Sequence, residues 1–205
     1  DVDYDTDQLV SCASCAVAVH QSCYGVASPP APGEAWHCAP CAEAAQGPAG
    51  ARPPRCCLCP VAGGALKPTN LPGVWCHLAC MQWIPEASVG NVAAMEPILG
   101  VDAVQRERWE LPCALCRRSD GAKIQCADCY TAFHPLCARA AGLSMSMREG
   151  AGGGVALSAR CARHGRVGAA PTGVHVVGVS PGEKEDDGGG GGRERDGSPG
   201  LAAGL

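Results

Sequence analysis

Residues 113–137 read CALCRRSDGAKIQCADCYTAFHPLC, a run built on three pairs, Cys113/Cys116, Cys126/Cys129 and His134/Cys137, each enclosing two residues. That gap lets a tight knuckle turn both side chains onto one tetrahedral Zn²⁺, with Zn–S of roughly 2.3 Å, and two such pairs close a structural site. The same spacing recurs outward at Cys12/Cys15, His20/Cys23, Cys38/Cys41, Cys56/Cys59, His77/Cys80 and Cys161/His164. Nine pairs predict four complete structural zinc sites plus one half site. Chance does not place eighteen ligand-type residues this way within 153 positions.

Sixteen cysteines in 205 residues would also suit a disulfide scaffold. Bridged scaffolds have no need of histidine at ligand spacing, whereas four of the six histidines here pair with a ligand cysteine. Reduced thiols point to the cytosol or nucleus. No apolar run is long enough to span a bilayer, so no membrane partner is expected. The chain opens on DVDYD with neither a signal peptide nor an initiator Met, and the natural N-terminus is expected upstream.

Composition favours a fold built on metal. Aromatic residues are Phe133, four Trp and three Tyr, while Gly and Pro number 28 and 17, too many for long helices or wide sheets. Small modules bury too little apolar surface to fold alone, and structural zinc supplies on the order of 10 kcal/mol of apparent binding free energy. The charge is segregated. Residues 1–50 carry six acidic side chains and no Lys or Arg, 51–167 carry 13 basic against 8 acidic, and 168–205 carry 3 basic against 6 acidic. An acidic module joined to a basic one suits a partner with a basic tail and a polyanionic body.

In the first block Cys12/Cys15 is followed after four residues by His20/Cys23 and after fourteen more by Cys38/Cys41, with Trp36 just ahead of Cys38. This order argues against a RING finger and resembles a PHD finger lacking its first Cys pair. The second block, Cys56/Cys59 then His77/Cys80, reads as a zinc knuckle, and the third repeats the PHD order with His164 as last ligand. CCLCPVAGGALKPT, WCHLACMQWIPE, RWELPCALC and YTAFHPLCARAAGL resemble the extended PHD family. The whole order is similar to the PHD, knuckle, PHD (PZP) unit of BRPF and JADE chromatin scaffolds and of plant trithorax-like histone lysine methyltransferases. VHQSCYGV and YTAFH lean to the scaffolds; HPLCARAAGL and ALKPT lean to the methyltransferases.

The resemblance implies small zinc-stabilised α+β modules with little regular secondary structure: a PHD finger over 1–45, a linker over 46–55, an extended PHD over 56–167 (knuckle 56–85, variant finger 110–167) and a disordered tail over 168–205. It implies a cross-brace in which Cys12, Cys15, Cys38 and Cys41 share one metal, while His20 and Cys23 await partners upstream. A catalytic metal with open positions at that half site is the less economical reading. Cys57 and Cys76 fall outside ligand spacing and are expected to be small half-buried side chains, with a redox or alternate-ligand role left open. His37 and His175 are expected at the surface. Trp36, Trp75, Trp83 and Trp109 are expected to pack against the metal sites.

Function follows from the same resemblance. A PHD finger offers a strand edge to an extended peptide; here that edge is Gln8, Leu9, Val10 and Ser11. Asp1, Asp3, Asp5 and Asp7 would receive Lys and Arg of a histone H3 tail, and Pro32, Gly33 and Glu34 match the loop whose carbonyls hold the tail's amino terminus. Ala18 and Val19 stand where trimethyl-lysine readers carry a cage Trp, so an unmodified tail is expected. Ala13 departs from the Asp frequent in the family. In the basic block, Arg117, Arg118 and Lys123, between two ligand pairs, are the expected nonspecific DNA contacts. Short helices are expected over 78–83, 102–108 and 135–141, and strands over 123–125 and 131–133. No catalytic triad, P-loop or paired-carboxylate site stands out, so a nuclear, non-enzymatic reader serving a chromatin-modifying complex is expected. The alternatives are the reader fragment of a SET-domain methyltransferase and an interaction scaffold without histone affinity.

Overall fold

The computed structural model describes residues 7–48, 51–150 and 153–168. The chain starts with β1 (Leu9–Ser11) paired antiparallel to β2 (Ala18–His20), placing buried Val10 opposite buried Val19. A single turn, α1 (Gln21–Tyr24), follows and ends at Gly25, whose φ of 75° only glycine adopts without strain. Next comes α2 (Ala39–Gln46), with Pro40 in its first turn where no intrahelical N–H is lost.

The rest of the described chain is a series of small hairpins and turns. β3 (Leu66–Pro68) pairs with β4 (Trp75–His77), which runs into α3 (Leu78–Trp83). β5 (Ser88–Val89) pairs with β6 (Ile98–Leu99), and α4 (Arg106–Glu110) leads to β7 (Ile124–Gln125) and β8 (Ala132–Phe133). α5 (Pro135–Ala140) and a hairpin of β9 (Ser144–Glu149) with β10 (Val155–Arg160) complete it. Every sheet among the described residues has two strands.

One local device repeats. His20 and His77 end a strand and His134 directly follows one, each in extended backbone at the cap position of the next helix, and the paired Cys23, Cys80 and Cys137 sit three residues on, in that helix's first turn. Cys38 and Cys41 bear the same relation to α2. Residues three apart across a helical turn lie on one face. The two-residue gap is therefore the switch from extended to helical backbone.

The helix expected over 102–108 forms instead at Arg106–Glu110, because residues 102–105 turn tightly onto Gly100 before the helix begins. α3 matches its expected span, and α5 stops one residue short, at Ala140. α1, α2 and the β9–β10 hairpin were not anticipated. The hairpin's signal was there: apolar Met145 and Met147, then Val155, Leu157 and Ala159, alternate with polar or small residues on either side of a glycine-rich turn.

Packing joins the blocks. One apolar cluster runs from Cys56 to Cys161 through Leu58, Leu66, Ile98, Phe133 and Leu143, and eight of its 24 buried residues are ligand cysteines. A smaller cluster of Cys12, Val19, Tyr24 and Cys38 meets it at Ala39 and Leu78. Tyr24 holds the two together. Its hydroxyl donates to the Leu66 carbonyl at 2.8 Å and accepts from Ala39 N–H at 3.0 Å. Burial pushes the phenol's pKa up, so it remains a donor at physiological pH. The buried Lys67 ammonium lies 4.4 Å from the Tyr24 ring centre and donates to Ala94 O and Glu96, each at 3.0 Å. Gly25 closes the contact, since a Cβ there would lie 2.2 Å from the Ala94 carbonyl. Tyr24→Phe keeps the ring and leaves two backbone groups without their partner. It is expected to lower stability by about 1–3 kcal/mol in urea unfolding with zinc present.

Candidate metal centres

Four sets of side chains converge with all ligand atoms of each set within 4.8 Å of one another: Cys12, Cys15, Cys38, Cys41; Cys56, Cys59, His77, Cys80; Cys113, Cys116, His134, Cys137; and Cys126, Cys129, Cys161, His164. The first, third and fourth take alternate pairs along the chain, which is the cross-brace. A tetrahedral centre at ordinary Zn–S and Zn–N lengths requires S···S edges of about 3.8 Å and S···N edges of about 3.6 Å. The sulfurs of Cys15 and Cys38 are 3.6 Å apart and those of Cys129 and Cys161 3.8 Å. His77 Nδ1 is 3.3 and 3.9 Å from Cys59 and Cys80. His134 Nδ1 is 3.5 and 3.6 Å from Cys116 and Cys137, and His164 Nδ1 3.6 and 3.4 Å from Cys126 and Cys161. These are the edges of tetrahedra sized for zinc.

Surrounding groups complete the fit. His77 Nε2–H donates to Gly63 O at 2.5 Å and His134 Nε2–H to Asp120 O at 2.6 Å, leaving each Nδ1 lone pair aimed at the thiolates. Backbone N–H groups of Cys38, Leu58 and Cys161 donate to the sulfurs of Cys12, Cys56 and Cys126, each at 3.3 Å. Such bonds stabilise thiolate over thiol. The three histidine-bearing sets hold three cysteines each, and none keeps an open position for substrate.

His20 and Cys23 belong to none of the four sets among the described residues. Cys57 is half-buried as expected, while Cys76 is fully buried and directs its thiol to the His77 carbonyl at 3.2 Å. His37 is exposed beside the Ser14 hydroxyl, at 2.9 Å. Trp36 packs edge-on to Tyr24 and Trp75 is buried, while Trp83 and Trp109 lie half-buried against the larger core. His175, Asp1, Asp3, Asp5 and the tail beyond Gly168 lie outside the described residues.

One expected contact needs correction, and another expected side chain is already engaged within the protein. Lys123 is not an exposed loop cation: it is 0 % exposed, and its ammonium donates to the carbonyls of Trp109, Ser119 and Gly121 at 2.8, 2.6 and 2.7 Å. Burial lowers its pKa, while Asp120, Cys113 and Cys116 act in the opposite sense. The Trp109 carbonyl belongs to the last turn of α4, which has no intrahelical donor to spare. Apolar Ala122 and Ile124 on either side of Lys123 read as an alternation with the lysine facing out, whereas all three are buried. Asp7, expected to meet histone cations, has both oxygens engaged by Ser22, from its N–H at 2.8 Å and its hydroxyl at 2.7 Å. Those bonds hold its carboxyl below the usual range. Arg117 is exposed, and Arg118 is exposed but forked onto Asp120 through two 2.8 Å bonds.

Residues 54–164 match the family described as PHD-zinc-finger like domain, and residues 6–42 match the PHD-finger. The chain belongs to the PHD-zinc-finger-like family. This PHD-type chain is 47% identical over 151 residues to histone H3-lysine(4) N-trimethyltransferase ATX1 of Arabidopsis thaliana, covering 73% of the chain and 14% of that protein. It is 40% identical over 162 residues to Protein Jade-1 of Bos taurus, covering 78% of the chain and 30% of that protein. The zebrafish PHF14-PZP crystal structure superposes with a TM-score of 0.61 at 29% identity, over 80% of this chain and 84% of that one. The chain thus spans 14% of the length of ATX1 and 30% of that of Jade-1.

Elemental analysis of the purified 205-residue chain is expected to find four zinc ions per chain, unchanged in His20→Ala and reduced by one in His134→Ala. Chelation should abolish near-UV dichroism. Lys123→Met is expected to cost about 3 kcal/mol of stability while leaving low-salt DNA affinity unchanged, the reverse of what a DNA contact predicts.

Proposed function

We propose that this PHD-type module is a non-enzymatic nuclear reader of the unmodified amino-terminal tail of histone H3, serving a larger chromatin-modifying protein or complex. The observation that carries the reading is the pairing of β1's outer edge with a tight carbonyl loop at its far end. Gln8 exchanges hydrogen bonds with Gln21, and Cys12 N–H bonds Val17 O, so this parity faces β2. By the alternation of an antiparallel ladder, Ser11, exposed, directs its backbone groups to the other side. Among the described residues, β1 has only β2 as a sheet neighbour.

The loop is a β-turn closed by Glu34 N–H to Ala31 O at 2.9 Å, with Pro32 at its second position and Gly33, φ 85°, at its third. Glu34's carboxylate accepts from Ala31 N–H at 3.1 Å, so one acidic group stands by the turn. Ala13 N–H bonds Trp36 O at 2.8 Å, tying this loop to the carboxyl end of β1. A tail whose amino terminus sits at the loop must run antiparallel to β1. Its later residues then run toward the amino-terminal end of β1, which Asp1, Asp3 and Asp5 precede in the sequence. Exposed Ala18 adds no aromatic face for a methylated lysine.

Similarity to ATX1, higher than to Jade-1, favours a histone methyltransferase as the parent protein, with these residues supplying recognition alone. With Lys123 buried, Arg117 is the leading DNA contact and Arg118 a partly neutralised one.

Calorimetric titration of H3 tail peptides is expected to rank the unmodified form above the trimethylated one, and to lose binding on acetylation of the peptide's amino terminus. Ser11→Pro, which removes one edge donor, should weaken binding about tenfold with zinc content intact. Tighter trimethyl binding overturns the modification preference; no binding of any tail leaves the interaction-scaffold reading. Arg117→Glu should weaken nonspecific duplex binding and flatten its salt dependence.

A further inference from the structure

A cleft of about 550 Å³ opens between α3 and the segment from α5 to β9, beside the ligand-bearing first turns of α3 and α5, and shares Ala79, Gln82 and Arg139 with a neighbouring hollow that reaches Leu9 of β1. Trp83, Leu136 and Met145 line it with indole, aliphatic and thioether surface. Met147 forms one lip, with its sulfur 3.1 Å from the Gln82 amide. The apolar surface continues past that lip. Met147 lies opposite Leu157 in the β9–β10 hairpin, and Val155 follows on the same face; their exposures of 53%, 36% and 69% leave the stripe open to water.

Two cations stand in this apolar setting. Arg139 from α5 and Arg166 beyond β10 both line the cleft and are exposed, and neither has an ion-pair partner among the described residues. By contrast Arg106, Arg108, Arg118 and Arg160 are each paired with a carboxylate. Met, Trp and Arg together are the side chains enriched where proteins bind proteins. Nucleic acid fits poorly here, because two cations neutralise few phosphates and the apolar lip would be covered by a polyanion without gain. The basic histone tail is repelled by the same arginines.

We propose that this cleft docks an acidic, apolar-bearing peptide segment of a partner protein. Large apolar side chains fill the floor between Trp83 and Met147, and flanking carboxylates meet Arg139 and Arg166. The floor at Trp83, Met145 and Met147 is not shared with the hollow beside β1, so one chain can hold tail and partner together although Arg139 borders both.

The test is fluorescence polarisation of the full chain with a labelled peptide of alternating acidic residues, Leu and Phe. A control peptide carries Lys in place of every acid, and a DNA duplex serves as competitor. The acidic peptide should bind saturably, and the double variant Arg139→Glu, Arg166→Glu should weaken it at least ~10-fold. Met147→Asp, at an exposed position, should do the same, with zinc content and H3 affinity unchanged in both. The proposal falls if the acidic peptide does not saturate by roughly millimolar concentration, if the lysine peptide binds equally well, or if the arginine variant lowers DNA binding alone.

Discussion

The structure depends on turning the backbone from extended to helical at each His-x-x-Cys or Cys-x-x-Cys pair while keeping both side chains on one side. His77 does this at the end of β4, His134 just past the end of β8, and Cys38 at the start of α2. The helices involved span six to eight residues, too short to persist alone in water. Their first turns are fixed by the metal-binding pair instead. Tertiary structure here precedes secondary structure in energetic terms.

Placing ligand cysteines inside the main core has an electrostatic consequence. Filled by divalent zinc, the four sets with their thirteen thiolates would carry a net charge of about −5 within the protein, about −1 at each of the three histidine-bearing sets. Anionic centres in a low-dielectric interior need nearby donors and cations. The N–H groups of Cys38, Leu58 and Cys161 supply part of this through their bonds to sulfur.

What the sequence made legible was the set of ligands, because spacing is a local property that chemistry reads directly. The four quartets and the packing role of Trp75 come from residue type and interval. What it hid were consequences of long-range placement. Tyr24 was unremarked among residues of the first block, yet its hydroxyl bonds a carbonyl 42 positions away. Asp7 looked like one of four equivalent acids until its bonds to Ser22 distinguished it. The hairpin of β9 and β10 was masked by its glycines, which raise turn propensity without excluding flanking strands.

Lys123 brings these threads together. Thirteen basic side chains between residues 51 and 167 suggested a surface for polyanions, but part of that charge faces inward. The Lys123 ammonium satisfies three carbonyls and lies within electrostatic reach of Cys113 and Cys116, so it offsets the negative charge of their metal centre. Arg118 feels Cys116 and Cys137 in the same way, after its larger interaction with Asp120. Lys67 serves the joint between the two apolar clusters through Tyr24 and Glu96. Counting basic residues overstates the outward field wherever thiolate-bound metal lies beneath them. The arginines with no ion-pair partner among the described residues, Arg139 and Arg166 among them, are the ones whose charge is available to another molecule.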